Sequence, residues 1–284
     1  MKKFFTLCSL LFVGLVASEA QEINRPQPSP KCEFTQEVGL SKVSVEYSRP
    51  SVRGREIFGG LVPFGEMWRT GANASTKIEF SDDVEFGGKK VPAGKYALYT
   101  IPNKDKWTII LHKNLTYWGT GGTQYKIEED AARVDVGAGA TKELVESFTI
   151  AIENLKVDGA DLVLKWANTQ VSVPLKVNTD EQMEKQIQAF MNPKPNYRPY
   201  YNAASYYHET GKNLSQALAW VDEALKINKG FWISHLKAKI QLDLKDYKGA
   251  IETATISMEA AREANNSDYV ALNEKLIAKA KAKK

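Results

Sequence analysis

Cysteine and histidine are scarce in this chain of 284 residues, which contains two cysteines and three histidines. Cys8 lies in an N-terminal apolar stretch that we expect to be removed, so Cys32 has no partner for an intrachain disulfide. His112, His208 and His235 lack the spacing of a metal-binding pair, and no cysteine cluster accompanies them. We therefore expect no structural disulfide, no metal site and no other cofactor.

An excess of one charge is also nearly absent, because 38 basic and 34 acidic residues give a net charge of +4. This small and scattered excess does not indicate a nucleic-acid partner. No stretch after the N-terminus has 18 consecutive apolar residues, so no transmembrane span is predicted. Hydrophobic residues make up 43% of the chain, as in ordinary globular proteins, which excludes a wholly disordered chain or a collagen. The sequence carries no signal for the oligomeric state.

The N-terminus has the pattern of a signal peptide over residues 1–20. Two lysines precede an apolar stretch, residues 4–16, that is shorter than the roughly 20 residues of a membrane-spanning helix. Ser18 and Ala20 then supply small residues at the −3 and −1 positions of a signal peptidase site before Gln21. We expect export through a cleaved signal peptide, to the periplasm or to the cell exterior.

Two composition regimes follow, which together predict an α+β multidomain chain. The proline-rich residues 21–32 indicate an extended leader. Residues 33–177 contain about eight short runs of alternating apolar and polar residues, separated by turn residues, which predict an antiparallel β-sandwich or barrel. Residues 178–195 predict a connecting helix and linker, with Thr179 as the helix N-cap. Residues 196–284 have helical spacing throughout.

The helical part contains an internal repeat. Ala217 begins a pattern that returns about 33 residues later at Ala250, close to the 34-residue period of a helix–turn–helix repeat. The positions that resemble a tetratricopeptide repeat are Ala204, Tyr207, Gly211, Ala217 and Ala224. We expect a tetratricopeptide-like helical domain whose groove is a candidate site for a protein or peptide. A plain helical bundle is the alternative.

Three segments of the β-rich part are distinctive. They are residues 48–73 (SRPSVRGREIFGGLVPFGEMWRTGAN), 91–102 (VPAGKYALYTIP) and 107–111 (WTIIL). Together they resemble the DUF2911 family of uncharacterised secreted proteins, over about residues 33–175. The resemblance implies an exported β-domain that is often followed by helical repeats. It implies no reaction and supplies no catalytic residues, because the family has no settled activity.

The first of these segments also holds most of the candidate ligand-binding residues. They are Arg53, Arg55, Glu66, Trp68, Arg69 and Asn73. The three arginines are candidates to bind a carboxylate, phosphate or sulfate, because a guanidinium donates hydrogen bonds in a planar fork. Trp68 is a candidate stacking face for a sugar or another ring, and Glu66 is a candidate partner for one of the arginines.

A structural role for the same loop is the alternative. In that interpretation, an Arg–Glu pair and a buried Trp68 fix residues 49–73 over the end of the β-domain. For Arg69 the sequence favours this role, with the side chain buried against Glu66 or against backbone carbonyl groups. Loss of such a buried charge would cost about 3–5 kcal/mol of stability.

A second candidate binding loop contains Tyr117 and Trp118. These adjacent aromatic residues precede a glycine-rich stretch, residues 119–122, which suits a binding loop on a rigid scaffold. The stretch lacks the Gly-Lys-Ser/Thr ending of a phosphate-binding loop. The alternative is a hairpin connection whose aromatic side chains fold onto the edge of the sheet.

The motifs of catalysis are missing from the sequence. It has no Gly-x-Ser-x-Gly elbow, and a carboxylate pair cannot be selected without geometry. The leading hypothesis is therefore an exported, non-catalytic binding or interaction protein. A hydrolase of envelope polymers with a site near residues 49–73, and a structural envelope component, are the alternatives.

Overall fold

The structure is a computed structural model that describes residues 25–191 and 196–283. Within these ranges the chain forms nine β-strands and then six α-helices, which confirms the predicted α+β layout. The predicted signal peptide and its cleavage site lie outside the described residues. The chain divides into two compact units. The β unit comprises the described residues up to Gln36, Lys42–Asn154 and Ala160–Leu175, and the helical unit comprises Glu37–Ser41, Leu155–Gly159 and the residues from Lys176 onward.

The nine strands form one antiparallel sheet that is not closed into a barrel. The strands are β1 (Lys31–Val38), β2 (Ser41–Ser48), β3 (Thr76–Phe80), β4 (Val84–Phe86), β5 (Lys89–Val91), β6 (Gly94–Ile101), β7 (Lys106–His112), β8 (Asp130–Lys156) and β9 (Gly159–Val177). Their order in the sheet is β1-β2-β3-β6-β7-β8-β9-β4-β5. Alternating residues of β2, such as Val43 and Val45, are buried, as period-two patterning requires.

The sheet curves around its own core. Strands β2 and β8 are separated by three others in the sheet, yet Tyr47 of β2 packs edge-on against Phe148 of β8, with ring centroids 5.8 Å apart. The Tyr47 hydroxyl also accepts a hydrogen bond of 3.0 Å from the Ile150 backbone N–H. This curvature encloses a core that includes Ile109 and Trp166, both fully buried.

Strand β9 is longer than the sequence predicts. The alternation indicates two separate strands, 162–166 and 171–175, whereas one strand spans Gly159–Val177. Ala167 between them has a φ of 52°, in the left-handed region. This local irregularity interrupts the alternation without ending the strand, which is how a β-bulge behaves.

Six helices make up most of the helical unit. They are α1 (Thr179–Phe190), α2 (Tyr197–Glu209), α3 (Leu214–Ile227), α4 (Phe231–Asp243), α5 (Tyr247–Glu263) and α6 (Ser267–Lys281). Asn178, and not the predicted Thr179, is the N-cap of α1, because its side chain accepts from the Glu181 backbone N–H. The Thr179 hydroxyl instead donates to the Val157 carbonyl oxygen at 2.8 Å. None of the helices within the described ranges is both long and apolar enough to cross a membrane.

Small residues are buried where the helices meet. Ala204 of α2 and Ala217, Val221 and Ala224 of α3 lie in one apolar cluster with Ile233 of α4. Alanine at these positions lets neighbouring helices approach closely. The helical spacing in the sequence is therefore confirmed, whereas its tetratricopeptide-like character stays a prediction.

Candidate functional site

The candidate site is built on residues 49–75, the long connection between β2 and β3. Two isolated bridges hold this connection on the sheet, since Ser51 pairs with Ser147 of β8 and Trp68 pairs with Thr100 of β6. The Trp68 and Thr100 backbones exchange two hydrogen bonds of 2.7 and 3.0 Å. The connection is therefore fixed to the sheet near both of its ends.

Trp68 lies in the core and offers no open stacking face. Its ring stacks on Trp166 at 5.6 Å and meets Phe148 at 5.0 Å, so it is only 8% exposed. Its indole N–H donates to the Gly71 carbonyl oxygen at 3.0 Å. The buried tryptophan of the structural interpretation is therefore present, and the expected sugar-stacking face is not.

The backbone directly after Arg69 is strained. Thr70 has a φ of 56°, which is unfavourable for a β-branched residue, and its carbonyl oxygen accepts from the Thr76 hydroxyl at 2.5 Å. At Gly71 the φ is 148°, and a Cβ there would lie 2.9 Å from the Ser48 carbonyl oxygen, so only glycine fits. Strained residues of this kind cluster at binding and catalytic sites.

A cavity of about 360 Å³, which we call the loop cavity, opens beside this strained turn. Arg53, Arg55 and Arg69 line it together, and Trp68 and Trp166 form part of its wall. The other lining residues are prolines, serines, glycine, alanine, leucine and valine, and no described aspartate or glutamate is among them. The structure thus brings four of the predicted site residues to one concave surface.

Arg53 and Arg55 are each held by backbone carbonyl groups. Arg53 Nη2 donates to the Pro28 oxygen at 3.0 Å. Arg55 donates from Nε to the Val52 oxygen at 3.0 Å and from Nη2 to the Ser51 oxygen at 2.6 Å. Since a guanidinium has five donor hydrogens, both side chains keep donors for another acceptor.

Arg69 differs from its neighbours because its guanidinium has no hydrogen-bond or ion-pair partner in the described part of the chain. Its Nε is buried and unpaired, and the side chain as a whole is half-buried. Glu66 is exposed, and no ion pair joins it to any of these three described arginines. The contacts expected for a structural Arg69, with Glu66 or with carbonyl groups, are therefore not found within the described chain.

The charges of the loop cavity are unbalanced. Arg53, Arg55 and Arg69 line one small space, and the Glu146 carboxylate accepts from the Arg53 backbone N–H at 2.9 Å. A half-buried cation without a partner is unfavourable, because burial removes part of its hydration. An anion in the cavity would supply the missing acceptors through charge-assisted hydrogen bonds.

The remaining predicted residues lie outside this cavity. The Asn73 amide donates to the Ser29 carbonyl oxygen at 3.3 Å and to the Ser48 hydroxyl at 3.2 Å, so it holds the leader against the loop. Tyr117 stacks on His112, with ring centroids 5.4 Å apart, and Trp118 is 83% exposed. The two predicted binding loops therefore do not form one site.

A buried polar cluster surrounds His112, which is fully inaccessible to solvent. Asp130 accepts from His112 Nδ1 at 2.9 Å, from Arg133 Nε at 2.8 Å and from the Tyr125 hydroxyl. Burial, and then the hydrogen bond to Asp130, raises the pKa of the Tyr125 hydroxyl. The imidazole ring also stacks on Tyr125 and on Tyr117, with ring centroids 4.6 and 5.4 Å away. The cluster fixes the end of β7 and the loop that follows it to the start of β8.

The sequence analysis did not identify several residues of the loop cavity and of the polar cluster around His112. Trp166 and Leu61 line the loop cavity but read as an ordinary strand residue and an ordinary loop residue. Asp130 is 18 residues from His112, so no local spacing indicates that they interact. Only the curvature of the sheet and the pairing of β7 with β8 bring these side chains together.

Comparison with protein families matches residues 29–175 to the family described as "Protein of unknown function (DUF2911)". No curated protein and no solved structure matches the chain. The match covers the strands of the β unit almost completely, including the loop cavity except for Pro28.

Proposed function

We propose that this chain, which belongs to the DUF2911 family, binds a small acidic molecule in the loop cavity of its β unit. The observation that carries the proposal is that Arg69, which has no hydrogen-bond or ion-pair partner in the described chain, lines one cavity together with Arg53 and Arg55. Arg53 and Arg55 supply further donors on the same surface. Binding, and not catalysis, is the function that this arrangement of residues supports best.

The hydrolase alternative has little support at this place. General acid–base hydrolysis of a glycosidic polymer needs two carboxyl groups flanking the substrate. The lining of the loop cavity includes no aspartate or glutamate of the described chain, and its cations would bind an anion instead. The cavity is also at the lower end of the range for small-molecule sites, which favours a compact ligand over a polymer.

A calorimetric titration tests the proposal. The probes are acetate, inorganic phosphate, sulfate and phenylacetate, each at constant ionic strength. We expect the wild-type protein to bind at least one of them and Arg69→Gln to weaken that affinity about 10–100-fold, because a hydrogen bond to a charged group contributes about 1.5–3 kcal/mol.

The matched control is Arg262→Gln, which makes the same change of charge in the helical unit, where Arg262 pairs with Glu274 at 3.3 Å. It should leave the affinity unchanged. If none of the four anions binds at millimolar concentration, or if both variants weaken binding equally, the proposal is wrong.

Two further parts of the proposal concern place and partner. The pattern of residues 1–20 supports export, which puts the loop cavity outside the cytoplasm. The buried alanines of α2 and α3 support a tetratricopeptide-like groove that holds a protein or peptide. Mass spectrometry of the exported protein tests the first part, since we expect the mature chain to begin at Gln21.

A further inference from the structure

We infer that the acid bound in the loop cavity is a small organic acid with an apolar body, and not a sugar acid or an inorganic anion. The inference rests on the proposed function and goes beyond it by naming the chemical class of the ligand. The inference is based on the hydrogen bonds that donors and acceptors of the cavity wall already make within the protein.

The indole N–H groups of the wall are unavailable to a ligand. Trp68 Nε1 donates to the Gly71 carbonyl oxygen at 3.0 Å, and Trp166 Nε1 donates to the Glu146 carbonyl oxygen at 3.3 Å. Both indole N–H groups therefore already have acceptors, and the rings expose only 8% and 2% of their surface. The charged donors of the cavity are the guanidinium groups of Arg53, Arg55 and Arg69.

Several acceptors of the wall are also engaged. The carbonyl oxygens of Pro28, Ser51 and Gly71 accept from Arg53, Arg55 and Trp68, respectively. A sugar carries many hydroxyl donors, and each donor buried without an acceptor costs free energy. An acid with an apolar body has acceptors only at its anionic group, which matches a wall of cationic donors.

Apolar side chains form part of the remaining wall, beside Ser29 and Ser51. Leu61 and Val62 line the cavity, as do Pro28 and Pro50. Leu61 is 48% exposed, so it has surface that a ligand can cover. An apolar body seated there gains affinity through burial, whereas acetate or phosphate does not. The volume of about 360 Å³ accommodates a body of about one ring.

Calorimetric titration with paired probes tests this inference on the full mature chain. We expect phenylacetate to bind at least tenfold more tightly than acetate and inorganic phosphate, because its ring is buried. Phenylacetamide, which has the same ring and no charge, should bind at least tenfold more weakly than phenylacetate. Glucuronate, which is a sugar acid, should bind at least tenfold more weakly than phenylacetate.

Leu61→Ser tests the contribution of the apolar wall to binding separately from that of the arginines. It should weaken phenylacetate binding about fivefold and leave phosphate binding unchanged. The matched control is Leu144→Ser on β8, since Leu144 is 57% exposed and does not line the cavity. It should change neither affinity.

The outcomes also separate the inference from the proposed function. If acetate or phosphate binds as tightly as phenylacetate, or if Leu61→Ser weakens all anions equally, the apolar-acid inference is overturned while anion binding stands. Binding of glucuronate as tightly as phenylacetate would overturn it as well. If no anion binds at all, the proposed function and the inference fail together.

Discussion

Trp68→Ala is expected to destabilise the β unit by about 3–5 kcal/mol, the range for removal of a large aromatic side chain from a core. The ring is 8% exposed and contacts other aromatic rings on several sides, including Phe58, Trp107 and Trp166. Its removal also leaves the Gly71 carbonyl oxygen without its indole donor. Urea denaturation followed by circular dichroism measures the change.

Trp118→Ala is the matched control for this substitution, because it removes the same side chain from a position that is 83% exposed. We expect its free energy of unfolding to stay within about 0.5 kcal/mol of the wild-type value, as for most surface substitutions. Equal losses in the two variants would contradict the placement of Trp68 in the core.

Asp130→Asn is expected to lower the free energy of unfolding by about 3 kcal/mol. The Asp130 side chain is 7% exposed and accepts hydrogen bonds from His112, Arg133 and Tyr125. Asparagine keeps the shape but removes the charge and replaces one acceptor oxygen with a donor. The buried His112 then loses the anion that fixes its Nδ1 proton.

Asp135→Asn on the same strand supplies the comparison. Asp135 pairs with Lys106 at 2.9 Å, but both side chains are more than half exposed, so solvent screens the pair. The expected loss in urea denaturation is below about 1 kcal/mol. A loss at Asp135 that matches the loss at Asp130 would show that burial does not distinguish the two carboxylates.

The elements of the fold could largely be predicted from the sequence because their signals are local. Val43 and Val45 alternate with polar residues, and the residues of β2 do form a strand. Pro193 is three positions after Phe190, the residue at which α1 ends. Where a local irregularity intervenes, as at Ala167, the same alternation predicts two strands in place of one.

The candidate site could be predicted only in part. The composition of residues 49–73 indicates a binding loop, and Arg53, Arg55 and Arg69 do line one cavity. The sequence does not indicate that Trp166 completes the wall or that Arg69 lacks a partner. These facts depend on the curvature of the sheet and on the strained backbone at Thr70, for which no sequence pattern exists.

Urea denaturation of Arg69→Ala, in a buffer without carboxylate or polyvalent anions, tests most directly whether Arg69 is free to bind a ligand. Because its guanidinium has no partner within the described chain, we predict a free energy of unfolding that is raised or unchanged within about 0.5 kcal/mol. A loss of about 3 kcal/mol or more would show that Arg69 holds the loop together, and would contradict its assignment as the ligand-binding arginine.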